Sequence, residues 1–498
     1  MTDVAVVGAG AVGLTLAGRL AQRGARVTLF EASEVRERIG SRAICMQRET
    51  LEIWARLGIG EAVAEPGIQW RIGRTYFRGR ELFSVELAGA TDEHFPPFVN
   101  ISQSEVEELL SERVGSLGVE IRHGHRFVGL VQDHDDVTST FATEGGEVAH
   151  RSSFLVGTDG AHSAVRHAVG IGFDGYTFDD RFLIADIRAE LPFTNERHFH
   201  FDPPWNPGRQ VLIHPQPDGI WRIDWQVPPE TDADAERVNG GVDRRIRAVI
   251  GEETPYELVW VTGYRFSQRL ADAFRAGRVF LAGDAAHVMS PFGARGLNSG
   301  IADAENLAWK LASVVRGAAP PALLDTYEAE RRPAALANLR ATEATMHFMA
   351  PHGAMRRAWR DLILRLAPRF GWFRRRVDSG RLAEPAAYAS SSIVAEDPGA
   401  DASPRHGSVA PDAAMPGSGR LRDRLGGGYV VVVPRPTELP VGTLVVGPDS
   451  VYGDERAWLL RPDGYVADSC QLDRAGAHSW KGLWTTGSPD SEFVDKGA

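Results

Sequence analysis

The feature that most constrains this chain is a glycine run between an apolar strand pattern and a helical pattern near its N-terminus. Residues 4–7 are apolar and mostly β-branched, and Gly8-Ala9-Gly10-Ala11-Val12-Gly13 follows them. Side chains at these glycines would obstruct the tight turn, the approach of a pyrophosphate, or the packing of the helix on the strand. The helix that follows presents free N–H groups to phosphate. The run predicts a dinucleotide-binding βαβ unit over residues 4–30.

Glu31 supports this interpretation because it stands at the end of the second predicted strand. A carboxylate at that position can accept hydrogen bonds from ribose hydroxyls. The alternative is a glycine-rich turn that binds no ligand. The presence of strand, helix and acid together favours the dinucleotide site.

Two further segments combine glycine with aspartate, GTDGAHSAVR at 157–166 and GDAAHVMSPFGARGLNSG at 283–300. A strand ending at Gly283-Asp284 places a carboxylate near a second sugar or polyol chain. The following loop leads into a helix predicted from about Leu297 to Arg316, whose first N–H groups can face a ring oxygen or a developing anion. No second glycine motif of this kind follows a strand, so no separate nicotinamide-binding domain is predicted.

In this order, the three motifs resemble the single-component (class A) FAD-dependent aromatic hydroxylases, the family of para-hydroxybenzoate, phenol and 3-(3-hydroxyphenyl)propionate hydroxylases. The resemblance is strong over residues 1–345. It implies FAD as the cofactor, NADPH or NADH as a transient co-substrate, and O2. The implied reaction is hydroxylation of a phenolic ring through a flavin C4a-hydroperoxide.

The resemblance also implies roles for individual residues at the cofactor. Those matching the adenosine and pyrophosphate site are Gly8, Gly10, Gly13 and Glu31, with Arg42 and Gln103 near the phosphates and Asp159 linked to both FAD and NAD(P)H. Those matching the flavin end are Asp284 for the ribityl chain and Gly296, Leu297 and Asn298 beside the isoalloxazine ring. Pro291 matches a proline whose carbonyl lies near the substrate. Arg295 departs from the family pattern and either favours an anionic substrate or faces solvent.

Substrate contacts are expected on a mainly antiparallel sheet predicted for residues 181–265. Alternation places Arg222, Asp224 and Gln226 on one face of a strand and Trp221, Ile223 and Trp225 on the other. The candidate contacts are His200, His214, Arg222, Asp224, Trp225 and Gln226. The polar face is either turned to a flavin cavity or solvated. His214 either assists phenol deprotonation or is a structural histidine bonded to backbone, and Arg222 resembles an arginine that senses flavin position.

The predicted fold class is α/β, with a Rossmann-like, glutathione-reductase-like FAD-binding domain and an inserted, mainly antiparallel substrate-binding sheet. The predicted domains are 1–75, 98–180 and 270–345 for FAD, 76–97 and 181–269 for substrate, 346–394 as a helical connection, and 395–498 as a C-terminal domain. By resemblance to phenol hydroxylase relatives, this last domain is thioredoxin-like. It lacks CxxC, so redox activity is not expected of it.

Composition excludes several other classes. The net charge of −11 disfavours nucleic acid and anionic membranes, and two cysteines far apart in sequence indicate neither a disulfide framework nor a metal site. No secretory signal or membrane span is recognised, so a cytoplasmic protein is expected, with homodimerisation left open. The alternatives are a flavoenzyme of the same fold (epoxidase, halogenase or reductase) and a flavoprotein without turnover. DGIWRIDWQVP lacks the WxWxIP spacing of halogenases.

Overall fold

The structure is a computed structural model of the 498-residue chain. It describes residues 1–35, 43–86, 93–192, 195–349, 351, 353–370, 385–397, 403–417, 419–437, 439, 442–447 and 450–480. Within these residues, no helix combines the length and apolar character that crossing a membrane requires.

The described chain alternates helices and strands along most of its length. The strands are β1 (Thr2–Val7), β2 (Val27–Phe30), β3 (Cys45–Gln47), β4 (Ile72–Phe77), β5 (Arg80–Glu86), β6 (Phe98–Asn100), β7 (Glu120–Arg122), β8 (Arg126–Gln132), β9 (Val137–Thr143), β10 (Gly146–Gly157), β11 (Phe173–Arg188), β12 (Glu196–Phe201), β13 (Gln210–Pro215), β14 (Ile220–Val227), β15 (Glu257–Ala271), β16 (Arg275–Ala276), β17 (Val279–Leu281), β18 (His287–Val288), β19 (Val430–Val433), β20 (Thr443–Val445), β21 (Arg456–Leu460) and β22 (Val466–Gln471). The α-helices are α1 (Ala11–Gln22), α2 (Arg48–Leu57), α3 (Gly60–Ala64), α4 (Gln103–Ser116), α5 (Ala164–Ala168), α6 (Ala233–Val238), α7 (Gly241–Ile250), α8 (Arg295–Val315), α9 (Asp325–Met349) and α10 (Ala354–Leu366).

The first sheet contains the predicted βαβ unit, which is confirmed as β1–α1–β2. Its strand path is β16-β17-β10-β1-β2-β7, with β8 and β9 attached through β10. β1 pairs in parallel with both β10 and β2. Val4 to Val7 are buried because a parallel sheet is covered on both faces, which explains the continuous apolar run. The glycine run therefore lies at the carboxyl end of the sheet, where α/β proteins bind ligands.

The second sheet is the mainly antiparallel one predicted from the short strands after residue 180. Its order is β18-β15-β11-β14-β13-β12-β4-β5, and only β12 and β4 are parallel among its described pairs. One face packs on α7 through Trp221, Ile223 and Trp225. We call this the outer face. The inner face carries Asp186, His214, Arg222 and Asp224, and its apolar residues pack on Phe292 and on α9 and α10.

The third sheet lies in the C-terminal part of the chain, in the order β20-β19-β21-β22. β19 is parallel to β20 and antiparallel to β21, which is antiparallel to β22. Its contact with the rest of the protein includes buried charge. Arg461 is completely buried and bonds Glu330 of α9, and Asp463 accepts a hydrogen bond from the Trp309 indole of α8.

Candidate active site

The three glycines of the first motif differ in why a glycine is needed at each position. Gly8 has φ of +104°, and a Cβ there would lie 2.5 Å from the Thr158 carbonyl oxygen. A Cβ at Gly13 would lie 2.0 Å from the Gly8 carbonyl oxygen. Gly10 differs, because the only described atom within 4 Å of its Cβ position is Glu107 Oε1, at 3.6 Å. Gly8 and Gly13 are required by the turn, whereas Gly10 leaves space at the start of α1.

Carboxylates surround this turn. Glu31 accepts hydrogen bonds from the Ala9 N–H (2.8 Å) and the Ser33 N–H (3.0 Å). Glu107, which was not among the predicted site residues, accepts from the Ala11 N–H at the start of α1 (3.1 Å). Its position one helical turn after Gln103 was the available signal.

Gln103 links α4 to the same region. Its side chain donates to Glu107 (2.9 Å) and accepts from the Ala43 N–H (3.3 Å). The Ser102 hydroxyl caps α4 by accepting from the Ser104 N–H. Arg42, the other residue predicted near the phosphates, lies outside the described residues.

Asp159 is turned toward its own segment. Its carboxylate accepts from the Ser163 hydroxyl (2.5 Å) and the Val165 N–H (3.0 Å) at the start of α5. Burial raises the pKa of Asp159. The preceding Thr158 donates to the carbonyl of Gly8 (2.9 Å), so this segment is fastened directly to the glycine run.

Asp284 is exposed, although Gly283 and Ala285 on either side of it are buried. The turn beneath it is held by Asp303 of α8, which accepts from the Gly283 N–H (3.1 Å). His287 is completely buried and also bonds Asp303 (2.7 Å), so this histidine supports the same turn. The Asp284 carboxylate is therefore presented outward from a rigid support.

The start of α8 is open and lacks a side-chain cap. Ala294 precedes it with a left-handed φ of +53° and no hydrogen-bonding side chain. No described atom lies within 4 Å of a Cβ built at Gly296, and Leu297 is half-buried. Pro291 is exposed, and its carbonyl accepts from the Ala294 N–H (3.0 Å). This helix start can receive a planar ring, because its N–H groups and the space above Gly296 coincide.

Asn298 contacts protein rather than open space. Its side-chain oxygen accepts from the Gln47 N–H (2.9 Å) and the Thr50 hydroxyl (2.7 Å). Its amide nitrogen donates to the carbonyls of Cys45 (3.0 Å) and Ala294 (2.6 Å). Asn298 thereby fixes the start of α8 against β3 and α2.

The inner face of the second sheet carries a polar row built from adjacent strands. Arg222 stands opposite both His214 and Asp186. It donates two hydrogen bonds to Asp186, each of 2.8 Å, in the bidentate geometry that suits guanidinium and carboxylate. Asp186 also accepts from Gln216 (3.1 Å). Asp186 and Gln216 were not among the predicted residues, because only strand pairing brings them to Arg222.

His214 and Asp224 are neighbours on this face, with 3.9 Å between Nε2 and Oδ2. Burial raises the pKa of Asp224 to about 7, although Arg222 and Arg197 oppose this. Burial also lowers the pKa of His214 well below its ordinary value, and Arg197 and Arg222 add to this. The histidine is therefore neutral near pH 7, while Asp224 exchanges a proton there.

An aromatic cluster continues the inner face toward the loop before α8. Phe182 and Phe266 of the sheet contact Phe292, with ring centroids 5.6 and 5.7 Å apart. At the other end of the face, the Asn100 amide donates to the Pro215 carbonyl (2.9 Å). These contacts place the polar row beside the loop that leads to Gly296.

Residues 1–342 match the protein family described as FAD binding domain. The chain is 35% identical to the rifampicin monooxygenase of Streptomyces venezuelae over 73% of this chain and 75% of that protein. It is 32% identical to the 3-(3-hydroxy-phenyl)propionate/3-hydroxycinnamic acid hydroxylase of Mycolicibacterium smegmatis over 81% of this chain and 71% of that protein. The chain belongs to the FAD-dependent aromatic hydroxylases. A solved structure of the rebeccamycin biosynthetic enzyme RebC aligns with this hydroxylase at a TM-score of 0.77 and 27% identity, over 97% of this chain and 98% of that one.

The residues of this hydroxylase fit FAD. Gly10 leaves space beside the start of α1, the Asp284 carboxylate is exposed, and the start of α8 is open, so the turn and the helix start leave room for a dinucleotide cofactor. The protein is a flavin-dependent monooxygenase that uses a reduced nicotinamide and O2 on an aromatic substrate. The other flavoenzyme classes considered from the sequence are less well supported.

Two predicted substrate contacts of the hydroxylase lie on the outer face instead. His200 stacks on Tyr76 (centroids 4.5 Å apart) and lines an outer cleft of about 470 Å³ with Trp205. Trp225 is buried in the outer apolar cluster. Side chains alternate along a strand, and these two residues stand at outward positions, on the face opposite His214 and Arg222. Gln226 pairs with Phe182 and is buried, and Arg295 is half-buried and donates to Asn338 (2.7 Å).

Proposed function

We propose that the hydroxylase binds a phenolic ring between the inner face and the Pro291–Gly293 loop, with the phenol hydroxyl directed at Asp224 and His214. The observation that carries this is Asp224 Oδ1, which is buried and has no hydrogen-bond partner among the described residues. A buried acceptor without a partner costs free energy unless a ligand donates to it. The neighbouring aromatic cluster supplies an apolar surface for the ring.

The proposed chemistry of these residues is proton transfer from the substrate. Asp224 Oδ1 takes the phenol proton, and a pKa of about 7 suits a general base that works near neutral pH. Neutral His214 accepts or relays a hydrogen bond. Arg222, held by Asp186, offsets the negative charge that develops on the phenolate. Deprotonation makes the ring electron-rich, which favours attack by an electrophilic oxygen.

FAD, when bound, supplies electron transfer from the nicotinamide and activation of O2. We propose that Gly8, Gly10, Gly13, Glu31 and Gln103 hold its adenosine and phosphates, with Arg42 and Asp159 beside them. Asp284 would hold the ribityl chain, and Gly296, Leu297 and Asn298 would form the wall at the ring. The Pro291 carbonyl would lie near the substrate and help to exclude water.

The domain boundaries predicted from the sequence are likewise proposed, although β4, β11 and β15 of the second sheet cross them and β18 lies in a segment assigned to FAD. The C-terminal unit is proposed to be thioredoxin-like, which is supported by a parallel strand pair at one edge of its described sheet followed by two antiparallel pairings. Its Cys470 is buried and unpaired, which agrees with the absence of CxxC. Cytoplasmic residence and a homodimer are also proposed. Size-exclusion chromatography tests the dimer.

The test uses a panel of phenols, from phenylpropionates to polycyclic phenols, scored for stimulated NAD(P)H consumption against H2O2 release. The active phenol is then given to His214→Asn and to His200→Asn. These histidines stand on one hairpin but on opposite faces, so they form a matched pair. We expect His214→Asn to lower kcat/KM at least about tenfold, while His200→Asn stays near wild type. Equal losses in both variants, or no stimulation by any phenol, would contradict the proposal.

A further inference from the structure

The turn that presents Asp284 is supported by buried groups that extend into the C-terminal part of the chain. Asp303 accepts from the Gly283 N–H through Oδ2 and from Arg331 Nε through Oδ1 (2.6 Å). Asp303 is completely buried and Arg331 almost so. The carboxylate therefore depends on the Arg331 guanidinium for its charge balance.

Arg331 connects this carboxylate to two other places. Its Nη2 donates to the carbonyl of Ser299 in the first turns of α8 (3.1 Å). Its Nη1 donates to the hydroxyl of Tyr388 (2.7 Å). A single guanidinium thus joins the support of Asp284, the start of α8 and Tyr388, which lies near the end of the predicted connection 346–394.

Tyr388 is part of the C-terminal unit by its contacts. Its N–H donates to the Gly407 carbonyl (2.7 Å), and the Gly407 N–H donates to the Val466 carbonyl in β22 (2.8 Å). Its ring stacks on Tyr465, with centroids 4.3 Å apart and planes 25° apart. The hydroxyl position is therefore set by the third sheet.

We infer that Tyr388 and Arg331 are positioning residues through which the C-terminal unit holds the Gly283-Asp284 turn in its FAD-binding geometry. In this inference the unit stabilises the flavin site indirectly, through Tyr388, Arg331 and Asp303, and does not contact the cofactor. This inference rests on FAD binding by the chain and is independent of the substrate contacts proposed above.

The principal test compares Tyr388→Phe with Tyr452→Phe. Tyr452 is a matched control, because it is buried in the same unit and its hydroxyl donates to the Pro411 carbonyl (2.6 Å), with no hydrogen bond to Arg331 among the described residues. The dissociation constant for FAD is measured by reconstituting each apoprotein, and the apoprotein melting temperature is measured alongside. We expect Tyr388→Phe to raise the dissociation constant about tenfold, because Arg331 loses a buried partner. Tyr452→Phe should leave it within about twofold of wild type.

A double-mutant cycle distinguishes positioning from general stability. Arg331→Lys keeps a positive charge beside Asp303 but cannot serve Ser299 and Tyr388 together, so it should also weaken FAD binding. If Tyr388 acts through Arg331, removing its hydroxyl in the Arg331→Lys background should change the dissociation constant by less than about twofold. Unchanged FAD affinity in Tyr388→Phe, equal weakening in Tyr452→Phe, or independent effects in the cycle would each overturn the inference.

Discussion

At the scale of single residues, the two carboxyl groups of the inner face, Asp186 and Asp224, differ in their hydrogen-bond partners. Asp186 accepts two hydrogen bonds from the Arg222 guanidinium. Asp224 lies two residues after Arg222 in β14. Its Oδ2 is 3.9 Å from His214 Nε2, and its Oδ1 is buried without a described hydrogen-bond partner. Asp186 therefore has a structural role in the sheet, whereas Asp224 is available to exchange a proton.

This difference predicts a pH-dependent effect of Asp224→Asn on stability. Because folding raises the pKa of Asp224 from about 4 to about 7, ionisation opposes folding, and the wild type loses stability as pH rises through this range. Relative to Asp224→Asn, the free energy of unfolding of the wild type should fall by about 2 kcal/mol between about pH 5.5 and about pH 8. Urea unfolding of the apoproteins measures this.

The control for this prediction is Asp218→Asn, which changes an exposed carboxyl on the turn between β13 and β14. Its stability relative to wild type should not vary over the same pH range. A parallel pH dependence in both variants would show that the effect is general charge repulsion rather than burial of Asp224.

At the scale of elements, prediction from the sequence was most accurate where contacts within one short segment determine the structure of that segment. The strand, turn and helix around Gly8–Gly13 are local, and the steric requirement for glycine comes from Thr158 at Gly8 and from the Gly8 carbonyl at Gly13. Alternation correctly separated Arg222 from Trp221 within β14. It could not relate β14 to His200, because the face of His200 follows from pairing β12 with both β13 and the distant β4.

Side-chain contacts between elements that are far apart in sequence could not be predicted either, because they depend on how the elements pack in the fold. Asn298 bonds Gln47 and Thr50, which are about 250 residues away in sequence, and no local pattern encodes that meeting. Glu107 is intermediate, because its helix and its spacing from Gln103 were visible but its contact with α1 was not. The motifs of the site could be predicted from the sequence. The side-chain contacts that join one motif to another could be identified only from the folded structure.

The glycine motif itself makes an element-level prediction, since its members differ in what a methyl group would meet. Gly13→Ala should lower the apoprotein melting temperature by several degrees, because its Cβ would collide with the Gly8 carbonyl. Gly10→Ala should leave that temperature near wild type, because Gly10 has extended φ and open space. It should nevertheless raise the FAD dissociation constant at least about tenfold by obstructing the pyrophosphate. Unaltered FAD binding by Gly10→Ala would place the phosphates elsewhere.

At the scale of the whole molecule, the C-terminal unit is joined to α8 and α9 by charges removed from solvent. Glu330 of α9 accepts from Lys310 (2.7 Å) and from two nitrogens of Arg461 (2.7 and 2.9 Å). Arg461 also bonds Asp463, which holds the Trp309 indole (3.0 Å). Removing one member of such a buried network should destabilise both the C-terminal unit and the α8–α9 pair. The remaining charges can regain water only if the unit separates from these helices.

The coupling of the C-terminal unit to the rest of the protein can therefore be tested by removing Arg461. Arg461→Leu leaves Glu330 and Asp463 short of a cation inside the protein, which should cost about 3 kcal/mol of unfolding free energy. Arg456→Leu is the matched control, because Arg456 bonds Ser469 within the third sheet and has no described hydrogen bond to α8 or α9. Urea unfolding followed by tryptophan fluorescence should show a lower midpoint for Arg461→Leu, or two transitions, while Arg456→Leu stays close to wild type. If both variants unfold at the same midpoint, the buried charges do not couple the two bodies, and apolar contact alone, such as Trp309 against Tyr429, must hold them together.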